Sequence, residues 1–161
     1  MPPKQAPPPV AVVEAVVEET EPPKPEFGYG KFEYKDQTCY IGNWRLLENV
    51  KVKHGHGKIT FPGVGGPNGK GREEYEGDWC DDKMHGYGRY QFTSGATFSG
   101  DWKDGKMHGT GHMMNADGTS YEGAWSENKM HGKGKYVDSD GMVWEGIFIN
   151  GSYESKVQKK L

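Results

Sequence analysis

Cysteine is scarce: only Cys39 and Cys80 stand among the 161 residues. Two thiols cannot make a disulfide framework or a structural zinc site, and both read as reduced residues of ordinary strands. Long apolar runs are missing as well. No stretch approaches the roughly 20 residues of a membrane span, and the N-terminus lacks the basic-then-apolar order of a secretory signal. A cytoplasmic location is therefore the expectation. Aliphatic residues are few, with 33% hydrophobic content and a mean hydropathy of −0.90, which excludes a thick core of Leu, Ile and Val. Nor is positive charge in excess, since acids and bases are equal in number from residue 28 to 161. A protein built to neutralise the phosphates of DNA, RNA or anionic lipid carries a basic excess, so no nucleic-acid partner is expected.

Glycine and aromatic residues are abundant. All 25 glycines lie from Gly28 onward, beside five Trp, nine Tyr and six Phe. Flexible backbone and large rings together suit tight turns and closely packed strands. Residues 1–26 differ: they hold eight of the ten prolines and a Val/Ala/Glu run from Val10 to Thr20. This composition predicts a mostly disordered tail. Its apolar stretch, Val10 to Val17, supports a second reading as a docking segment, while Pro7-Pro8-Pro9 is only a weak SH3-type signal.

From Phe27 onward a period of 23 residues governs the chain. Tyr75-Glu-Gly77-Asp-Trp79, Phe98-Ser-Gly100-Asp-Trp102 and Tyr121-Glu-Gly123-Ala-Trp125 recur in register, and Trp144-Glu-Gly146-Ile-Phe148 continues the phase. The second half of each unit repeats as Met84-His-Gly86-Tyr-Gly88, Met107-His-Gly109-Thr-Gly111 and Met130-His-Gly132-Lys-Gly134. An earlier, widened unit runs from Tyr40-Ile-Gly42-Asn-Trp44 to His54-Gly-His-Gly57, and Gly28-Tyr-Gly30 opens the series. Asp104-Gly105 and Asn150-Gly151 mark one end of the hairpins. Ser94-Gly95, Asp117-Gly118 and Asp140-Gly141 mark the other, all read as two-residue turns with positive φ. Asp81-Asp82 and Glu127-Asn128 lack glycine and predict a different turn type.

Alternate residues of a strand point to opposite faces. Tyr40, Trp44, Tyr75, Trp79, Tyr90, Phe92, Phe98, Trp102, Tyr121, Trp125 and Tyr136 therefore share one face and are the candidate partner-binding groove. Gly42, Gly77, Gly86, Gly88, Gly100, Gly109, Gly111, Gly123, Gly132, Gly134 and Gly146 share it as structural glycines, leaving room for rings to lie over the backbone. Glu76, Asp78, Arg89, Gln91, Asp101 and Lys103 make a solvated opposite face. The predicted fold is all-β: a single-layer antiparallel meander of about ten short strands over residues 27–151, elongated and twisted, without helices. A sheet with one aromatic face and nothing covering it must curl around its rings or bury them against a partner. Residues 152–161 are expected to be a tail or a capping short helix that protects an exposed edge strand from self-association.

The unit Tyr121-Glu-Gly-Ala-Trp125, with Asn128-Lys-Met-His-Gly-Lys-Gly134 and Tyr136 through Gly141, resembles a MORN repeat, and the resemblance covers about residues 28–151. It implies a β-hairpin ribbon acting as a scaffold or adaptor, similar to short MORN proteins of ciliary and flagellar axonemes and radial spokes. Partners would then be axonemal, radial-spoke or other cytoskeletal proteins. The alternative it implies is a peripheral membrane module binding anionic phosphoinositide lipids, for which Lys133, Lys135, Lys156, Lys159 and Lys160 offer charge. The widened unit from Trp44 to Tyr75 and Met113-Met114-Asn115 depart from the pattern.

Reactive chemistry finds little support. His85, His108 and His131 lie one repeat apart, hence two strands or ~9.5 Å, too far to share an ion held at ~2.0 to 2.3 Å from each ligand. His54 with His56, or His108 with His112, make at most a pair, so no metal and no cofactor is expected. Gly63 to Gly71 lacks the spacing, the Ser or Thr and the strand-to-helix setting of a phosphate loop. It reads instead as an insertion at a hairpin tip. No nucleophile, base and orienting group recur together, so no enzymatic activity is expected.

Overall fold

The computed structural model describes residues 26–63 and 71–155. Eleven strands succeed one another in a single antiparallel sheet whose spatial order is the chain order, with no helix among the described residues. They are β1 Phe27–Glu33, β2 Cys39–Leu47, β3 Val50–Phe61, β4 Glu73–Cys80, β5 Lys83–Gln91, β6 Thr97–Lys103, β7 Lys106–Met114, β8 Ser120–Ser126, β9 Lys129–Val137, β10 Val143–Ile149 and β11 Ser152–Ser155. The eleventh strand corrects the expected capping helix. Asn150-Gly151 turns the chain back, and Ser152–Ser155 pairs antiparallel with β10 through an irregularity at Ile147/Phe148. Residues 156–161, like the tail before Glu26, lie outside the described residues.

The two ends of the hairpins use different turns. At one end Glu48-Asn49, Asp81-Asp82, Asp104-Gly105, Glu127-Asn128 and Asn150-Gly151 all have two successive positive φ values, the signature of type I′. Asp81-Asp82 and Glu127-Asn128 therefore take the same turn as the glycine pairs, contrary to expectation. Each is fastened to the preceding hairpin: the Asp82 and Asn128 amides donate to the Lys53 and Met107 carbonyls, as Gly105 and Gly151 do to Met84 and Met130. At the other end the loops have three residues, not two. Gly95 donates its amide to Phe92 and Phe92 donates to Ala96, with the same pair of bonds around Gly118 and Gly141. Those glycines sit at φ +86, +88 and +79, the left-handed position that follows a type I turn in such loops. Gln37, at φ 70, fills it in the first loop.

Between the turns each return strand carries a bulge. Gly77 pairs with Gly88 and Trp79 with Met84, so β5 uses two more residues than β4 over the same span. The extra residues centre on Gly86, whose φ is +62. Gly55, Gly109 and Gly132 occupy the same place in β3, β7 and β9. A bulge bends its strand and increases twist, and four in phase curl the sheet towards its aromatic face. Asp101 caps the bulge beside it, its Oδ2 accepting the amide and hydroxyl of Thr110 at 2.8 and 3.0 Å. Asp78 accepts the Tyr87 amide more weakly, at 3.4 Å.

Beyond the bulges a line of glycines crosses the sheet at right angles to the strands: Gly30, Gly42, Gly57, Gly77, Gly88, Gly100, Gly111, Gly123, Gly134 and Gly146 are paired neighbour to neighbour from β1 to β10. Neither the widened unit nor Met113-Met114-Asn115 interrupts it. Met113 stands between Phe98 and Tyr121 in the ladder, and the extra residues between Trp44 and Gly55 lengthen β2 and β3 beyond the bulge; residues 64–70 of the second insertion lie outside the described residues.

Candidate functional site

Rings fill the concave side of this glycine floor. Tyr40, Trp79, Tyr75, Trp102, Phe98, Trp125, Tyr121, Phe148 and Tyr153 touch in that order, edge to face, with centroids 4.9 to 5.5 Å apart. Edge-to-face contact sets the positive rim of one ring against the negative face of the next. The polar atoms are satisfied within the stack. The indoles of Trp79, Trp102 and Trp125 donate to the carbonyls of Gly57, Gly88 and Gly111 at 3.0 to 3.2 Å. Tyr40, Tyr75 and Tyr121 donate their hydroxyls to the carbonyls three residues ahead, of Asn43, Asp78 and Ala124. Burial pushes the Tyr40 and Tyr75 phenols well above their ordinary range and raises that of Tyr121 as well.

Burial divides the eleven groove candidates. Tyr40, Tyr75, Trp79, Phe98, Trp102, Tyr121 and Trp125 are buried by the chain itself, Tyr75 to 0% exposure and Trp102 to 5%. These seven are core and cannot face a partner, which corrects their assignment as groove-lining contacts. The curl produced by the bulges brings successive rings over one another and closes them off. The other four, Trp44, Tyr90, Phe92 and Tyr136, remain partly accessible. Trp44 lies apart from the rest, beside Gly28 and Lys53 near the other end of its hairpin. The last three, with Phe61 and Met113, form a rim where the trough opens towards the loops opposite the type I′ turns. Tyr90, Met113 and Tyr136 recur once per repeat along it. The Tyr90 hydroxyl donates to the Glu73 carboxylate at 2.7 Å, and burial with that carboxylate pushes its phenol upward too. At the C-terminal end the trough widens into a cleft of about 490 Å³ lined by Met130, Tyr136, Trp144, Phe148 and Tyr153, with Trp144 42% exposed.

The glycines also fall into two groups. At Gly57, Gly88, Gly111 and Gly134 a Cβ would stand within 2.6 Å of ring carbons of Tyr40, Tyr75, Phe98 and Tyr121. At Gly42, Gly77, Gly100 and Gly123 it would strike the backbone of the paired strand as well. Gly86, Gly109 and Gly132, contrary to expectation, do not make room for rings. Their Cβ vectors point at Asp78, Asp101 and Ala124 on the other face, and what they supply is the positive φ of the bulge.

The opposite face is polar, as its parity predicts. Arg45 binds both carboxylate oxygens of Asp81 at 2.7 Å, Lys58 pairs with Glu74 at 2.6 Å, and Lys106 pairs with Glu127. Of the repeated histidines, His131 is exposed, while His85 and His108 keep a buried Nδ1 without a partner. One cluster was not foreseen. His54, Cys80 and Asp81 place one potential ligand atom each within 4.8 Å of the others. Twenty-five residues separate His54 from Cys80, and only the pairing of Gly55 with Trp79 brings them abreast.

No curated protein matches the chain. The family profile described as MORN repeat matches residues 51–63, 75–97, 98–120 and 121–143, together half of the chain. Repeats of this kind are non-catalytic binding modules, for proteins or for membranes. Four matched stretches in phase within one uninterrupted sheet leave no other assignment: the chain belongs to the MORN-repeat family.

Proposed function

We propose that the protein is a rigid scaffold that docks a segment of another protein along the open rim of its trough. The observation that carries this reading is the row Tyr90, Met113 and Tyr136, partly accessible and one per repeat. Two strand spacings put these side chains roughly 9.6 Å apart. A polyproline-type segment has three residues per turn and advances about 9.3 Å over them. A partner presenting an apolar residue at every third position would therefore stay in phase with the rim. The buried ring stack beneath supplies stiffness, so little entropy is lost on docking.

The resemblance to short ciliary MORN proteins supports an axonemal or cytoskeletal assembly as the setting of this proposed scaffold, with the acidic tail as a second contact. Affinity capture from ciliated cells with the full chain and with a Tyr90→Ser, Tyr136→Ser variant tests this. The expected result is capture of microtubule-associated proteins that the folded variant loses. Equal capture by both would remove the rim from the reading. Recovery of anionic lipid in place of protein, lost in high salt, would put the membrane-binding alternative in its place.

A further inference from the structure

We propose that His54, Cys80 and Asp81 form a binding site for a thiophilic divalent cation of the zinc type. The three lie on the polar face where β3 and β4 meet the Asp81-Asp82 turn, away from the trough, so the inference does not rest on the docking role. His54 Nδ1 is 3.2 Å from Asp81 Oδ1, and the ligand atoms of all three residues lie within 4.8 Å of one another. Tetrahedral coordination at zinc bond lengths needs separations of about 3.3 to 3.7 Å, which small side-chain rotations on these strand ends supply. Thiolate with imidazole selects zinc-like ions over magnesium and calcium, which prefer oxygen.

Two further observations single out this cluster. In the following units the places of His54, Cys80 and Asp81 hold His85, Lys103 and Asp104, then His108, Ser126 and Glu127, then His131, Ile149 and Asn150. The hairpin folds with Lys, Ser or Ile where Cys80 stands, so the fold does not ask for a cysteine there. Moreover, Arg45 already grips the Asp81 carboxylate from behind through Nε and Nη2, each at 2.7 Å. A metal-binding carboxylate is commonly held in this way by an outer hydrogen-bonding partner. The cation would displace the His54 contact from Oδ1, take Cys80 as thiolate with its proton released to solvent, and keep Arg45 on Oδ2. Thiolate and carboxylate together neutralise the ion. His54 and Asp81 are about one-third exposed, which leaves a fourth position open to water or to a donor atom from a partner.

Cobalt(II) titration of the reduced full-length protein reads the site directly. The expected result is a near-ultraviolet thiolate-to-cobalt band saturating at one ion per chain, bleached by zinc. Cys39→Ser should keep the band and Cys80→Ser should lose it. Cys80→Ser folds by the precedent of Ser126, and circular dichroism checks that it has. His54→Ala and Asp81→Asn should each weaken binding by roughly tenfold or more. Absence of the band at millimolar cobalt, its persistence in Cys80→Ser, or its loss in Cys39→Ser would overturn the proposal.

Discussion

The ring of Tyr75 lies over Gly88 on the neighbouring strand, so close that a Cβ at that glycine would stand 2.5 Å from Cε2 and Cζ. The relationship is one of room, since Gly88 does not have a positive φ. Gly105 is the converse: nothing lies within 4 Å of its Cβ position, but its φ is +82. One glycine is required by a neighbour and the other by its own backbone.

Alanine at the two positions should separate these requirements. Gly88→Ala must displace a ring fixed between Trp79 and Trp102, an overpacking cost of roughly 3 kcal/mol. Gly105→Ala meets only left-handed strain, roughly 1 kcal/mol. Urea midpoints at an unchanged slope measure both. Equal losses would contradict the packing account.

Trp102 joins Tyr75 to Phe98 in the ring stack and donates to the Gly88 carbonyl at 3.2 Å. Trp102→Ala should cost roughly 3 to 5 kcal/mol through the cavity it leaves. Trp102→Phe keeps a ring and removes only the indole hydrogen bond, so a smaller loss of roughly 1 kcal/mol is expected. Because repeat stability is largely nearest-neighbour, hydrogen exchange in Trp102→Ala should quicken in β4 to β7 first. Uniform quickening from β1 to β11 would show that the sheet unfolds as one unit.

Most of the architecture was legible because a 23-residue period, a parity of two and a turn pair at each end say the same thing three times. The bulges escaped notice because each adds two residues, which preserves parity; counting faces cannot detect them. With them went the burial of Tyr75, Phe98 and Tyr121, since only a curled sheet hides its rings and nothing in the composition sets curvature. Asp78 and Asp101 looked merely solvated because the amides they cap lie on the next strand, across an unseen bulge. The last strand had its signal in Asn150-Gly151, a hairpin turn that implies a returning chain, and Tyr153 then seals Phe148 with centroids 5.4 Å apart. His54 and Cys80 carry no joint signal, because a widened unit separates them and the other repeats have no matching cysteine.

Lys53 takes the place of the repeated methionine, and its ammonium lies 2.7 Å from Asp82 Oδ1 and 5.4 Å from the centre of the Trp79 ring. The same oxygen accepts the Lys53 amide at 2.9 Å. Glycine suits the positive φ of Asp82 better than aspartate does, yet Asp82→Gly should destabilise, because a largely buried cation and an amide lose their acceptor. Lys53→Met with Asp82→Gly restores the pattern of Met84 with Gly105 and should recover most of the loss. Thermal melts of the two single variants and the double variant form the cycle that tests it.

Alkaline unfolding follows from the buried phenols. Tyr40, Tyr75, Tyr90 and Tyr121 are all pushed above the ordinary value of 10.0, chiefly by burial. A folded-state pKa above the unfolded one means that, between the two, the folded chain binds more protons, so stability falls as pH rises. The contribution of neutral phenols is complete below about pH 10 and is lost progressively above it. Three of these rings lie in one stack and Tyr90 packs against its Trp102, which should make the loss cooperative: tyrosinate absorbance at 295 nm should rise together with the collapse of the near-ultraviolet dichroism. Phe98 occupies the matching position in the third full unit and cannot ionise. Tyr75→Phe should therefore move the alkaline midpoint upward while leaving the neutral-pH fold intact. A midpoint unchanged by that substitution would show that Tyr75 ionises only after the sheet has opened for another reason.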